Sequence, residues 1–137
     1  MPRAQRTRAV FVAQARLFTN KAEEYLAAAK SELAEGRTIA ATSLAVHAGI
    51  NAADAVCGFR LGQRAAGQDH DEAVTLLRTA GTDGLAVAKE LGRLLPLKTR
   101  AEYEPDHLAV ADARKAVERA SRAVEVARRV ALAKPSD

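Results

Sequence analysis

Between Val110 and Ala131 the chain repeats a small apolar residue at steps of three, four, three, four, three and four: Val110, Ala113, Val117, Ala120, Val124, Ala127 and Ala131. Steps of that size return to one face of an α-helix, and small side chains on that face let another helix come close. The seam is coiled-coil-like. A helix that carries it has to be packed along its length on a neighbour.

Earlier stretches supply the neighbours. Val12, Ala15, Phe18 (or Thr19), Ala22, Leu26, Ala29 and Leu33 predict a helix from about Arg8 to Glu35, stopped by Gly36. Thr19-Asn20 could kink or restart it, with Asn20 as an N-cap and Glu23 three residues on. A second helix is expected from Thr38, as N-cap, to about Ala66, with Gly67 ending it. Leu44, Ala48, Ala52, Ala55 and Phe59 share one of its faces, and Ser43, His47, Ile50 and Asp54 a neighbouring one. Burial over a wide arc follows, and Gly49, Gly58 and Gly62 allow close backbone approach. Asp69 is the expected cap of a short third helix through Val74 and Leu77, and Gly81 its stop. Thr82 or Asp83 opens a fourth, through Leu85, Ala88, Leu91 and Leu95. Pro96 is predicted to end it, a kinked extension to Thr99 being the alternative. Asp106 is the expected cap of the last helix.

The expectation is one domain over residues 1–137, an all-α antiparallel bundle of four to five helices, with residues 1–7 and 133–137 frayed. An all-β fold is disfavoured, because strands draw on aromatic and β-branched residues and aromatics are 4% of this chain, with no Trp. The net charge of +4 comes mostly from arginine. That fits a nucleic-acid partner, and equally a coding bias towards Arg and Ala. Cys57 is the single cysteine, so no internal disulfide can form, and it reads as a small buried hydrophobe. No uninterrupted apolar run of membrane-spanning length is seen, and the basic start MPRAQRTRAV lacks the apolar core of a leader. A cytoplasmic protein without a membrane partner is expected.

Chemistry-bearing residues concentrate in LPLKTRAEYEPDHL, Leu95 to Leu108, which holds Arg100, Tyr103, Glu104, Asp106 and His107. Arg100 stays charged and can fork onto two phosphate oxygens. His107, with an ordinary pKa of about 6.5, can act as base or acid near neutral pH. Tyr103 can hydrogen-bond phosphate or stack a base, and Arg114, among the charged residues of the last helix, offers a further phosphate contact. The same residues can instead be structural: Arg100 paired with Glu104 or Asp106, Tyr103 plugging the bundle end, His107 an exposed first-turn residue.

Other constellations are weaker. Arg64 and His70 also match an Arg-to-His spacing with five residues between, at a turn between helices, where a capping role or coincidence is the simpler account. His47, one turn from Ser43 and two from Asp54, is expected to be a satisfied, partly buried histidine. Glu104 and His107 form the sequence's single Glu-x-x-His, with Pro105 inside it. The second such motif that a di-iron bundle uses is missing, so no metal or cofactor is expected. GTDG, Gly81 to Gly84, lacks the lysine of a phosphate loop. The third and fourth helices as a DNA reader would offer no Arg, Asn or Gln in the first turns of the fourth.

In order and spacing these features resemble the HEPN superfamily of small helical bundles. The similarity rests on SELAEGR (Ser31 to Arg37), SLAVHAGINAADAV (Ser43 to Val56), HDEAVTLL (His70 to Leu77) and RAEY (Arg100 to Tyr103) just before the last helix. It implies a bundle that dimerises across its last helices. For many members it also implies a metal-independent ribonuclease of toxin–antitoxin or other defence systems. Active members carry Arg, four to six residues, then His near the start of the final helix; here six residues separate Arg100 from His107. Ala101 stands where active members often place a polar residue. The resemblance therefore implies a homodimer that binds RNA through Arg100, Tyr103, His107 and Arg114, cuts it with Arg100 and His107, and meets a cognate antitoxin or nucleotidyltransferase-like partner. Its alternative is a non-catalytic dimerisation or nucleotide-binding module.

Overall fold

The computed structural model describes residues 6–67, 69–105 and 108–134. In chain order the elements are β1 (Thr7–Ala9), α1 (Val12–Ala34), α2 (Thr38–Leu61), β2 (Gln63–Ala65), α3 (Asp71–Leu77), α4 (Gly81–Tyr103) and α5 (Val110–Ala133). The domain is all-α, a five-helix bundle with one small ribbon.

At the centre lies α2. Its Ala45, Ala48, Ala52, Ala53, Ala55 and Val56 are all fully buried, and α1, α4 and α5 pack around it. By length and hydropathy α2 could cross a membrane. Enclosure by α1, α4 and α5 accounts for the same apolarity, while a stripe that includes Ser43, His47, Ile50 and Asp54 stays partly exposed. The α5 seam packs as its spacing predicts from Ala113 to Ala131, and only Val110, at the helix start, is exposed.

Ion pairs fix the directions of the helices. Arg16, near the start of α1, donates to the carbonyls of Ala131 and Lys134 at 3.0 and 3.1 Å, closing the C-terminal end of α5 with a cation. Arg60 at the end of α2 meets Asp83 in the first turn of α4 at 2.6 Å. Glu90 of α4, 5% exposed, accepts from Arg119 at 3.3 Å and from Arg122 at 3.0 Å, both on α5. Burial alone would raise the Glu90 pKa; the two guanidiniums overcome it and hold the carboxyl below the usual range.

Several local expectations are corrected. Residues 7–9 and 63–65 are not helical but form an antiparallel ribbon, with Arg8 opposite Arg64. Gly62, at φ +68°, ends α2 about five residues early, and its carbonyl accepts from the Val10 N–H at 2.9 Å. Val10 is buried against Gly58, where a Cβ would lie 2.8 Å from its Cγ1. Arg6 and Thr7, expected to fray, are held in this pairing, and Ala133 belongs to α5.

Nor does α1 restart at Asn20. The Thr19 hydroxyl donates to the Ala15 carbonyl at 3.0 Å, so it is satisfied inside a continuous helix. Gly36, at φ +76°, does end α1, with Gly36 N–H on the Leu33 carbonyl and Arg37 N–H on that of Glu32. Asp69 accepts from the Asp71 N–H at 2.9 Å at the start of α3.

The largest departure is α4, which runs through Pro96 to Tyr103. Proline loses one hydrogen bond and crowds the carbonyl four residues back. Here that residue is Gly92, and both it and Pro96 face solvent. Leu91, Leu94 and Ala101 keep the opposite face buried, with Leu97 packed beside them, and this tertiary packing outweighs the local break. The next helix begins at Val110, preceded by Ala109. Asp106, the expected cap, and His107 lie outside the described residues.

Two glycines of α4 should respond oppositely to alanine. A Cβ at Gly84 would overlap the Leu77 carbonyl oxygen, whereas one at Gly92 meets nothing. Gly84→Ala should lose about 1–3 kcal/mol or more. Gly92→Ala should gain about 0.5–1 kcal/mol. Urea unfolding measures both, and equal effects would contradict the packing described.

Candidate functional site

The expected connector is in large part the last two turns of α4. Arg100 sits there with its side chain 43% exposed, its Nη2 3.9 Å from Asp112 Oδ2 in the first turn of α5. Its acidic neighbour is thus Asp112 rather than Glu104, which only donates its backbone N–H to the Arg100 carbonyl. Tyr103, three residues on and on the same side of the helix, is 73% exposed, so it does not plug the bundle end. Ala101 is buried between them, beside the turn that joins α1 to α2, where it lines a shallow hollow with Gly36, Thr38, Ile39 and Ser43.

His107 lies outside the described residues. Leu108, which follows it, is buried and anchors the chain just before α5. Arg114 is exposed on α5. Two residues beyond Asp112, it stands about 200° further round the helix, so the face that meets Arg100 does not carry it.

The other histidines have separate surroundings. His47 stacks obliquely on Tyr25, ring centroids 5.3 Å apart. His70 borders a cleft of about 240 Å³ with Asp69, Leu95, Lys98 and Thr99. Burial, then Lys98, lowers its pKa. Arg64 instead lies over the Phe18 ring, 5.4 Å from its centroid, and 3.9 Å from Asp54. The Arg64–His70 spacing therefore joins two unlike surfaces. Among the described residues no group of three His, Cys, Asp or Glu is placed to hold a metal ion.

A second concentration of polar groups had no local signal in the sequence. Pairing of β1 with β2 brings Arg8 and Arg64 together over α1, around a hollow of about 400 Å³ that Val10, Gln14, Leu17 and Phe18 complete. Beneath Arg64 lies Asp54, and near it Cys57, whose thiol burial and the Asp54 charge push up to about 12. Cys57 is protonated at neutral pH and unreactive as a nucleophile.

Burial also raises Asp54, to about 6, against the opposing charges of Arg64 and Lys21. An unfolded Asp titrates near about 3.9. Between those values the native state keeps a proton that the unfolded chain has released, so this group's contribution falls as pH rises from about 4 to about 6. Asp54→Asn removes that slope. Its stability relative to the parent should rise by about 2–3 kcal/mol between pH 4 and pH 7, followed by urea unfolding; a difference independent of pH would refute the shift. Comparison with known proteins gives no family model that matches this chain and no similar curated protein.

Proposed function

We propose that this chain is a HEPN-like, homodimeric RNA-binding protein of the cytoplasm. It acts as a metal-independent endoribonuclease of toxin–antitoxin or defence type, with an antitoxin or nucleotidyltransferase-like partner. The observation that carries the reading is the exposed guanidinium of Arg100 at the end of α4, beside exposed Tyr103 and a few residues before His107 in the sequence. The chemistry needs few parts. His107 takes the proton of a ribose 2′-hydroxyl, and the 2′-oxygen bonds to the adjacent phosphorus. The bond from phosphorus to the 5′-oxygen then breaks, and that oxygen receives a proton from an imidazolium. Products are a 2′,3′-cyclic phosphate and a 5′-hydroxyl. Arg100 balances the charge gathering on the phosphorane oxygens. Tyr103 stacks a neighbouring base. A second protomer brings a second Arg100–His107 pair to the same cleft.

A non-catalytic dimerisation or nucleotide-binding module is favoured by one feature, the Asp112 carboxylate near the Arg100 fork. At 3.9 Å and in solvent that pair is weak, and an incoming phosphate can replace it.

Transfer RNA incubated with the purified protein in EDTA should be cut. Arg100→Ala and His107→Ala should each lower the rate at least about 100-fold with helical content and dimer mass kept. Cleavage that survives both changes, or none by the parent protein freed of any antitoxin, would refute the nuclease. Asp112→Asn separates the two readings: it should raise cleavage or RNA affinity about two- to fivefold if Arg100 grips phosphate, and leave both unchanged if the module is non-catalytic.

A further inference from the structure

The ribbon lies at the other end of the bundle from Arg100. It continues from the start of α1 and the end of α2, where Arg60 meets the first turn of α4, whereas Arg100 ends α4. The 23 residues of α1 separate the two ends by about 34 Å. At the ribbon end Arg8 and Arg64 are directly opposite in an antiparallel ladder, so their side chains leave the same face. Hydrogen bonds from Val10 N–H to Gly62 O and from Ala66 N–H to Arg6 O flank that pair. They make it a hydrogen-bonded one, with Cα atoms about 5.5 Å apart. Like charges placed so oppose the pairing. Asp54 relieves one side only, 3.9 Å from Arg64.

Both arginines line the 400 Å³ hollow, and no acidic residue does. Its remaining wall is Ala9, Val10, Gln14, Leu17 and Phe18. Leu17 is 62% exposed, and Phe11, next along the chain from Val10, is 76% exposed. Two guanidiniums, an amide and bare apolar surface therefore meet in one concavity of a size that takes a single small ligand.

We infer that this hollow binds one nucleotide unit of single-stranded RNA, the phosphate between Arg8 and Arg64 and the base against Leu17, Phe18 and the Arg64 plane. The paired arginines match the oxygens of one phosphate. Guanidinium and aromatic planes are what an unstacked base packs on, and a duplex hides those base faces. A second copy of the chain would set four guanidiniums facing one another, with no acid in the hollow to separate them. A lipid surface would meet a concavity rather than a flat basic face. The site is independent of cleavage at Arg100 and would hold a strand whose scissile bond lies elsewhere.

The test is fluorescence anisotropy with labelled 2′-O-methyl oligouridylate, which has no 2′-hydroxyl to attack the phosphate and so is not cleaved. The parent should bind it, more weakly as salt rises. Arg8→Glu should weaken binding more than about tenfold, and Arg8→Ala should lower the log–log salt slope by about one. Arg93→Glu, an equal charge change on the exposed side of α4, should change it less than about threefold. The inference fails if the parent does not bind, or if Arg93→Glu weakens binding as much as Arg8→Glu. It also fails if duplex RNA or phosphatidylserine vesicles bind more tightly than the oligomer in an Arg8-dependent way. Arg8-dependent binding by a protein that cuts no RNA would remove the nuclease and leave this site standing. Cleavage without Arg8-dependent binding would do the reverse.

Discussion

Everything in this bundle is hung on α2, a helix whose contact faces are built largely from alanine and glycine. A helix enclosed on several sides has to bring its neighbours near enough for dispersion contacts, and small side chains shorten that distance. Gly49 shows how tight the fit is: a Cβ there would come within 2.7 Å of Leu94 Cδ1. The larger residues that complete the core, Leu77, Leu91, Leu94 and Leu108, come from α3, α4 and the chain just before α5. They fill the gaps that an alanine helix leaves. This division of volume bears on why Pro96 does not end α4: stopping there would withdraw Leu97, which packs against the core, and buried Ala101.

Charge is handled by a second set of constraints on the outside. Glu90 is covered by the side chains of Arg119 and Arg122, which joins α4 to α5. Arg128 reaches Glu23 at 2.8 Å and Glu125 at 2.8 Å, joining α5 to α1. Exposed pairs of this kind contribute little each. Their value is directional, because the small-residue seams would tolerate a slide along the helix axis and the pairs select one register. Arg16, capping the end of α5, sets the same limit from the other side.

What could be read from the sequence was what repeats locally. The α5 seam, the Gly36 stop and the two-sided burial of α2 follow from spacing alone, because each is decided within a few turns. The ribbon is decided by pairing residues 56 positions apart, Arg8 with Arg64, and three-residue strands carry no alternation to betray them. Pro96 failed as a stop because a local rule met a tertiary one. For the candidate site, Arg100 and Tyr103 could be picked out as chemistry-bearing residues of a connector before the last helix, but the extension of α4 moved them from loop to helix. That extension gave Arg100 a neighbour, Asp112, which spacing along the chain did not single out. Arg8 was hidden because its significance lies wholly in what stands opposite.

A bundle made this way has consequences for where function can sit. Four-helix proteins that bind cofactors do so between helices, using interior side chains. Here the buried faces of α2 are rich in alanine and packed closely, and the hollows beside Arg8, Glu90, Ile39 and His70 open to solvent at the periphery. The arginines are not matched alike. Arg119, Arg122 and Arg128 meet glutamates at 2.8–3.3 Å, and Arg60 and Arg37, one at each end, pair closely with Asp83 and Glu32. Among the described residues Arg100 and Arg64 each have a carboxylate no nearer than 3.9 Å, and Arg64 faces another arginine across the ladder. A weakly paired cation loses little when an incoming anion replaces its partner, so these two guanidiniums are the ones most open to an anionic ligand.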